Sequence, residues 1–533
     1  MKQTKKLEGN EGNNSTANLD DNSNESYSNV NIYGSLDAHQ KEEFSYEEQK
    51  HEITCYCCPR VISGKCCGFI NYYINPVVMI ISILIMWGFV TFTISNHKLA
   101  ADIYDDAQTL ICKYFTWLYV GALTIFVIFA FYLIFSKYGD IKLGPDDEPP
   151  KHSLGAWFSM LFSAGVGVGL YYFGVAEPVF YINELQDGGS RWYDNQINKQ
   201  GMDAINLAWF HWGLSASATY VIAGLPLAYH HHRKGEPMRE SVCFIELIGK
   251  KYVDSAIGNI IDICSVVGTM FGVSTSLGLG ALQINAGLNF VFNVPESFKT
   301  QMLIIWGITI CATISVLSGI DKGIKLLSKI FIFFSSLVLI YIFFSGDSMF
   351  YLNLLIQGIG YHLQWLLELQ FSTQAFEQAG FYDTKDAQEL ASVSNQQGWM
   401  SGWTIFYWAW WISWAPFVGI FLANISRGRT VREFIIGNMV VPTIITCVWF
   451  TIIGGWGLYN EMGSIQNDME CKIDSNDNKY SELNEWNDHT IIKLSCYGTS
   501  SMFFAALQTL PFKEFTSIVI IIAIILGFVT SSD

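Results

Sequence analysis

The sequence predicts an all-α polytopic membrane protein, and three observations support this fold class. Hydrophobic residues make up 51% of the 533 residues and charged residues only 15%, well below the roughly 25% charged residues of a soluble protein. The mean hydropathy is +0.28 although the amino-terminal region is polar, so the apolar residues are concentrated further along the chain. Ten separate apolar runs approach or exceed the length of a spanning helix, which needs about 20 residues. The net charge of −16 excludes a nucleic-acid-binding protein, because phosphates demand a basic surface.

Residues 1–68 are predicted to form a disordered cytoplasmic tail. The segment begins MKQTKKLEGNEGNNSTANLDDNSNESYSNVN, which has too few large apolar side chains to offset the entropy of ordering it. No apolar run near Met1 resembles a cleaved signal peptide, so the first membrane helix, near Pro76, is expected to direct insertion. The tail includes a cysteine cluster, CYCCPRVISGKCC, from Cys55 to Cys67. We interpret the cluster as a site of juxtamembrane S-acylation, with a tetrahedral zinc site as the alternative.

Ten spans and one interfacial helix are expected after the tail. The apolar runs lie at about residues 76–94, 115–135, 156–181, 205–229, 256–292, 301–318, 324–344, 399–422, 434–459 and 515–532. Between the seventh and eighth runs, FYLNLLIQGIGYHLQWLLELQF mixes apolar and polar residues at helical spacing, which is typical of a helix lying in the membrane interface. A cytoplasmic tail would place the basic loops HHHRKGEPMR, DKGIK and SRGRTVR inside and the acidic loops 346–397 and 460–513 outside, as the positive-inside rule requires.

The third run contains SAGVGVGL, a set of mid-membrane glycines that weaken a helix without filling space. Close helix packing is one explanation. The other is a discontinuous helix, whose freed backbone groups would line a cavity and hold a substrate anion or a sodium ion.

The eighth run, GWTIFYWAWWISWAPFVG, has five tryptophans in one predicted helix. They extend toward its middle instead of marking the two membrane interfaces. A purely structural aromatic core is one interpretation. Alternatively, indole faces around a cavity would bind a desolvated organic cation, each contributing about 2 kcal/mol or more. The second hypothesis points to a quaternary-ammonium solute.

A family resemblance is carried by GAWFSMLFSAGVGVGLYYFGVAEPVFY, FHWGL, GTMFGVSTSLGLGALQINAGLNFVF, WAWWISWAPFVGIFLANISRGRTVREF and GFVTSSD. In this order, from about residue 70 to the end, these segments resemble the betaine/carnitine/choline transporter family. The resemblance implies a secondary transporter with two leading helices and a LeuT-type five-plus-five inverted repeat, often assembled as a homotrimer through the interfacial helix. The family would continue for two more helices, so we expect the sequence to be truncated after the tenth.

The implied domain organisation follows the same resemblance. After the tail, it consists of two leading helices at 69–140, a first repeat at 141–345, an interfacial helix and loop at 346–397, and an incomplete second repeat at 398–533.

The resemblance also implies a substrate site. Its residues in this sequence are Gly165, Val166, Gly167, Trp212, Tyr220, Trp410, Trp411 and Trp414. The glycine break would face the substrate carboxylate, and Trp212 and Tyr220 would face Trp411 across the cavity, with the other two tryptophans beside that path. Ser217 stands where betaine carriers have a further tryptophan, so a reduced cage would admit a larger or different solute.

A sodium site is implied in the same way. Its ligands would be the backbone oxygens of Ser163, Val166 and Gly527 and the hydroxyls of Thr530 and Ser531. Thr269 is a candidate ligand of a second site, but Val273 cannot supply the hydroxyl expected one turn later, so one coupled sodium is favoured over two. Gly169 stands where some proton-coupled relatives have an aspartate, which disfavours proton coupling.

The leading hypothesis is therefore a plasma-membrane transporter, not an enzyme, that carries a betaine-, choline- or carnitine-type solute with sodium by alternating access and needs no cofactor. A cation-independent exchanger and a non-transporting osmotic sensor are the alternatives. A membrane metalloenzyme built on His230, His231, His232 and the cysteine cluster is disfavoured, because these residues lack an HExxH spacing. Glu177, in VAEPVF, is expected to pack helices or to take part in gating.

Overall fold

The described part of the chain is mostly helical. The computed structural model describes residues 62–66, 70–165, 167–184, 196–318, 324–379, 381, 399–473 and 479–532. The longer helices are α1 (Pro76–Ser95), α2 (His97–Phe135), α3 (Leu154–Gly165), α4 (Gly167–Glu184), α5 (Ile197–Trp212), α6 (Leu214–Lys234), α7 (Ala256–Phe292), α8 (Phe298–Ser318), α9 (Ile324–Ser345), α10 (Ser348–Phe371), α11 (Met400–Ile425), α12 (Val431–Gln466), α13 (Thr499–Leu507) and α14 (Lys513–Ser532). Short helical turns lie at Lys137–Asp140, Glu240–Phe244, Ile245–Ile248, Lys250–Val253, Ala375–Gln378 and Leu494–Cys496.

Eight of the described helices are long and apolar enough to cross a membrane: α1, α2, α7, α8, α9, α11, α12 and α14. Each of them contains most or all of one of the ten predicted runs. The third run is covered by α3 and α4, which end and begin on either side of Val166, a residue outside the described part. The fourth run is covered by α5 and α6, so the span predicted at 205–229 is divided at Gly213.

Gly213 is the physical reason for the division of the fourth run. Its backbone has φ −96° and ψ −124°, which is not helical. A Cβ atom at this position would lie 2.4 Å from the carbonyl oxygen of Trp209. A side chain here would therefore clash with the last turn of α5, which favours glycine at this position.

Within the described ranges, three two-stranded antiparallel ribbons depart from the all-α prediction. The first pairs β1 (Ile62–Cys66) with β2 (Ile70–Ile74), with Ile62 opposite Ile74. The β-branched and aromatic residues of ISGKC and INYYI favour strands, and β1 lies within residues 1–68, the segment that the sequence predicts to be a tail. The cysteines of the juxtamembrane cluster other than Cys66 lie outside the described residues.

The other ribbons belong to the acidic segment between α12 and α13. They pair β3 (Lys472–Ile473) with β4 (Lys479–Tyr480), and β5 (Asn484–Trp486) with β6 (His489–Ile491). A disulfide joins Cys471 to Cys496. The segment is anchored to α12 by Glu461, whose carboxylate accepts the backbone N–H groups of Leu494 and Ser495 at 2.8 and 3.0 Å.

The helices around α11 and α12 form the core. α6 packs along α11 through Gly224, where an added Cβ would lie 3.0 Å from the carbonyl oxygen of Gly419. α3 packs against α14, and α4 packs against α5 and α12. Within α12, residues Ile436–Val440 and Phe450–Gly454 have π-helical hydrogen bonding, an irregularity often found at functional sites.

Candidate functional site

Two tryptophan rings meet at the helix break. Trp212 is the last residue of α5 and Trp411 lies within α11, and their ring centroids are 4.9 Å apart at an interplanar angle of 73°. Carbonyl groups in the last turn of a helix lack intrahelical partners. Trp411 satisfies one of them, because its Nε1–H donates to the carbonyl oxygen of His211 at 3.0 Å. The break at Gly213 thus helps to orient both rings.

A narrow cavity lies beside this pair of rings. It is lined by Leu161, Trp212, Ala216, Ser217, Tyr220, Trp411, Val418, Leu422, Asn438 and Pro442. The cavity therefore brings together three of the tryptophan and tyrosine residues singled out in the sequence. The ring centroids of Tyr220 and Trp411 are 6.3 Å apart. Ser217 lines the same cavity and leaves space that a larger side chain would occupy.

Trp410 and Trp414 lie beside the cavity and not in its lining. Trp410 stacks on Trp411 with ring centroids 5.0 Å apart and planes 10° apart, and its Nε1–H donates to the Oγ of Ser276 at 3.1 Å. Trp414 packs on α7, where a Cβ added to Gly272 would lie 2.6 Å from its Cδ1 atom. With 3.6 residues per helical turn, the adjacent residues Trp410 and Trp411 project in different directions, whereas Trp414 is directed by its packing on Gly272. The prediction that these two tryptophans, Trp410 and Trp414, belong to the substrate site, beside the solute path, stays a prediction.

A buried carboxylate stands behind the cavity. Glu177 of α4 has no exposed surface, and its Oε2 accepts hydrogen bonds from Trp212 Nε1 and Tyr407 Oη, both at 2.6 Å. Its Oε1 accepts a hydrogen bond from Tyr181 Oη. A packing or gating role is predicted for Glu177 from the sequence, but its bond to Trp212 is not, because the two residues are 35 positions apart. The available signal was the carboxylate itself, since an acid in an apolar helix is a functional candidate.

Asn438 of α12 was also missed by the sequence analysis. It lies in the first π-helical segment, lines the cavity and donates from Nδ2 to the carbonyl oxygen of Phe434 at 2.6 Å. A single asparagine in an apolar run carries no spacing signal that would assign it to a site.

Three of the predicted sodium ligands lie together near the end of α14. The hydroxyls of Thr530 and Ser531 donate to the carbonyl oxygen of Gly527 at 3.0 and 2.7 Å. Both side chains are buried. Hard, uncharged oxygens of this kind suit a sodium ion better than a transition metal.

The remaining predicted ligands are less completely described. Ser163 belongs to α3, which packs against α14, but its side chain lies outside the described part. Val166 lies outside it altogether, so the predicted glycine break between Gly165 and Gly167 stays a prediction. Thr269 is half-buried in α7.

The long apolar helices, with a narrow aromatic cavity at a helix break, define a polytopic membrane protein with an internal aromatic site. The comparison with known families is more specific. A family model described as BCCT, betaine/carnitine/choline family transporter, matches residues 77–533, so this chain belongs to that family. Members of the family are transporters, not enzymes, and the chain is accordingly a membrane transporter.

Several curated relatives are similar over most of the chain. The glycine betaine transporter OpuD of Bacillus subtilis is 37% identical over 457 residues, which cover 86% of this chain and 79% of that protein. A glycine betaine transporter of Acinetobacter baylyi is 35% identical, with 86% of this chain and 63% of that protein covered. The high-affinity choline transport protein of Escherichia coli is 34% identical, with coverage of 72% and 54%. The last two relatives are thus substantially longer than the matched region.

Proposed function

We propose that this chain is a secondary active transporter of a quaternary-ammonium or related zwitterionic solute of the betaine, choline or carnitine type, coupled to sodium by alternating access. The observation that carries the proposal is the cavity lined jointly by Trp212, Tyr220 and Trp411. A trimethylammonium group cannot donate hydrogen bonds, so aromatic faces are its best available partners, each worth about 2 kcal/mol when desolvated. The names of the similar proteins, which include glycine betaine and choline transporters, support this solute class.

The cavity lining suggests how the rest of the solute is accommodated. Ser217 and Ala216 are the smallest residues of the lining, and a serine where betaine carriers have a tryptophan would admit a solute larger than betaine. Leu161 lies one helical turn before the glycine break at 165–167, where freed amides would bind a carboxylate or hydroxyl group of the solute.

Sodium coupling is proposed from the oxygens of α3 and α14. Gly527, Thr530 and Ser531 would bind the ion from one side, and the backbone oxygens of Ser163 and Val166 from the other. One charge that moves down a potential of about 100 mV supplies about 2.3 kcal/mol, equivalent to somewhat less than two decades of solute concentration. A single sodium ion would therefore drive useful accumulation.

The finer architecture is part of the same proposal: two leading helices, a LeuT-type inverted repeat, a cytoplasmic amino terminus in the plasma membrane, and a homotrimer formed through α10. The disulfide between Cys471 and Cys496 supports an outward location of the loop after α12, because disulfides persist in oxidising compartments. α10 presents exposed apolar side chains at helical spacing, among them Leu352, Ile356 and Leu363, which suits contact with lipid or a second copy.

Uptake into proteoliposomes tests the proposal directly. Purified protein is reconstituted, and the uptake of radiolabelled choline, glycine betaine and carnitine is followed with sodium or potassium outside. Uptake of at least one solute that requires sodium is expected. Equal uptake in potassium would replace the sodium symporter by a cation-independent exchanger, and no uptake of any solute would favour a sensor.

A further inference from the structure

The Glu177 carboxylate is bonded to the edge of a cavity ring. Its Oε2 accepts the Nε1–H of Trp212 and the hydroxyl of Tyr407, each at 2.6 Å. Trp212 therefore has one edge on the carboxylate while other atoms of the same indole line the cavity. The carboxylate and the cavity lie on two sides of one aromatic ring.

The other carboxylate oxygen lies near a tyrosine hydroxyl group and an imidazole ring. Tyr181 donates its hydroxyl hydrogen to Oε1. His211 Nδ1 lies 2.7 Å from Tyr181 Oη and 3.3 Å from Oε1, and His211 Nε2 lies 3.1 Å from Thr404 Oγ1. Among the described partners of Glu177 there is no lysine or arginine. No permanently charged side chain among these described partners therefore neutralises the Glu177 carboxylate.

The charge matters because a cation–π interaction depends on the electron density of the ring. A carboxylate that accepts the indole N–H polarises the ring and makes its face more negative, and the effect is strengthened in a medium of low dielectric constant. We propose that Glu177 is a positioning and selectivity residue: it holds Trp212 in the cavity and makes that ring select a cationic head group over a neutral one of the same shape. This inference rests on the proposed function, because it names the property by which the cavity recognises its solute.

Trp411 provides a comparison within the same site. Its ring lines the same cavity, but its Nε1–H donates to the carbonyl oxygen of His211 and not to a charged group. The two tryptophans should therefore contribute unequally to the selection of charge, although both supply an indole.

The test compares choline with its neutral carbon isostere, in which a tert-butyl group replaces the trimethylammonium group. Affinities for both are measured by calorimetry on the purified chain and on Glu177→Gln, which keeps the shape of the side chain and removes the charge. If the carboxylate accounts for about half of the cation–π energy, the ratio of the choline affinity to the isostere affinity falls about fivefold. Glu177→Asp should retain part of the ratio. Betaine and its tert-butyl isostere give the same comparison for a zwitterion.

A structural role alone would lower both affinities equally and leave the ratio unchanged, and that result would overturn the inference. If Glu177→Gln does not fold, Trp212→Phe and Trp411→Phe replace it, since each keeps an aromatic face and loses an N–H. The ratio should fall further for Trp212→Phe, and equal falls would overturn the inference. Failure of the wild-type chain to bind any quaternary ammonium would instead refute the proposed function, and this inference with it.

Discussion

Replacement of Trp411 by leucine tests the aromatic cavity most directly. Leucine keeps part of the buried volume and removes the π face that lies 4.9 Å from Trp212 and 6.3 Å from Tyr220. The loss of about 2 kcal/mol of cation–π energy corresponds to binding weaker by about 30-fold, at 1.4 kcal/mol per decade. We therefore expect Trp411→Leu to weaken the binding of choline and betaine by at least about tenfold.

The substitution also has a structural consequence. It removes the hydrogen bond from Trp411 Nε1 to the carbonyl oxygen of His211, and an unsatisfied buried acceptor costs about 1–3 kcal/mol of stability. The assay is thus calorimetric titration of protein shown to be folded by its thermal transition. Trp306→Leu is the matched control, because Trp306 is 61% exposed on α8, away from the cavity. Unchanged affinity of Trp411→Leu for every quaternary ammonium tested would refute the aromatic-cavity reasoning.

Three further predictions concern selectivity, coupling and the helix break. Ser217→Trp should shift the preference from carnitine toward the smaller betaine, because the added indole fills the cavity; an unchanged ranking in competition binding would argue that position 217 does not contact the solute. Thr530→Ala should raise the sodium concentration for half-maximal uptake and leave the solute affinity at saturating sodium less affected, because sodium and solute binding are coupled by about 1–3 kcal/mol. Thr309→Ala, which removes an exposed hydroxyl from another helix, is the control. The same sodium dependence of uptake in both variants would contradict the sodium site. Gly213→Ala should lower the thermal transition temperature and the uptake rate, because its Cβ would lie 2.4 Å from a backbone carbonyl oxygen. Gly307→Ala, with open space at its Cβ, should behave like the wild type. Comparable stability of the two variants would show that the backbone accommodates the new methyl group.

Much of the fold was predictable from local sequence. A run of about 20 apolar residues can satisfy its backbone in a membrane only as a helix or in a closed barrel, so the helices α1, α7, α9 and α14 begin and end within a few residues of the predicted runs. The cavity residues Trp212 and Tyr220 were predictable because they lie in a segment that resembles the transporter family. The strand at residues 62–66 was not predicted, since composition averages over a segment and does not detect a strand of five residues.

The tertiary structure decided which of these residues act together. Five tryptophans in one helix look alike in sequence, yet only the packing of α11 against its neighbours places Trp411 in the cavity lining and Trp410 and Trp414 beside it. The bond between Glu177 and Trp212 depends on how α4 lies against α5. Composition and periodicity determine which segments are buried away from water, because hydrophobicity is a property of each segment. Hydrogen bonds between distant residues require the mutual orientation of two helices, and that orientation exists only in the folded chain.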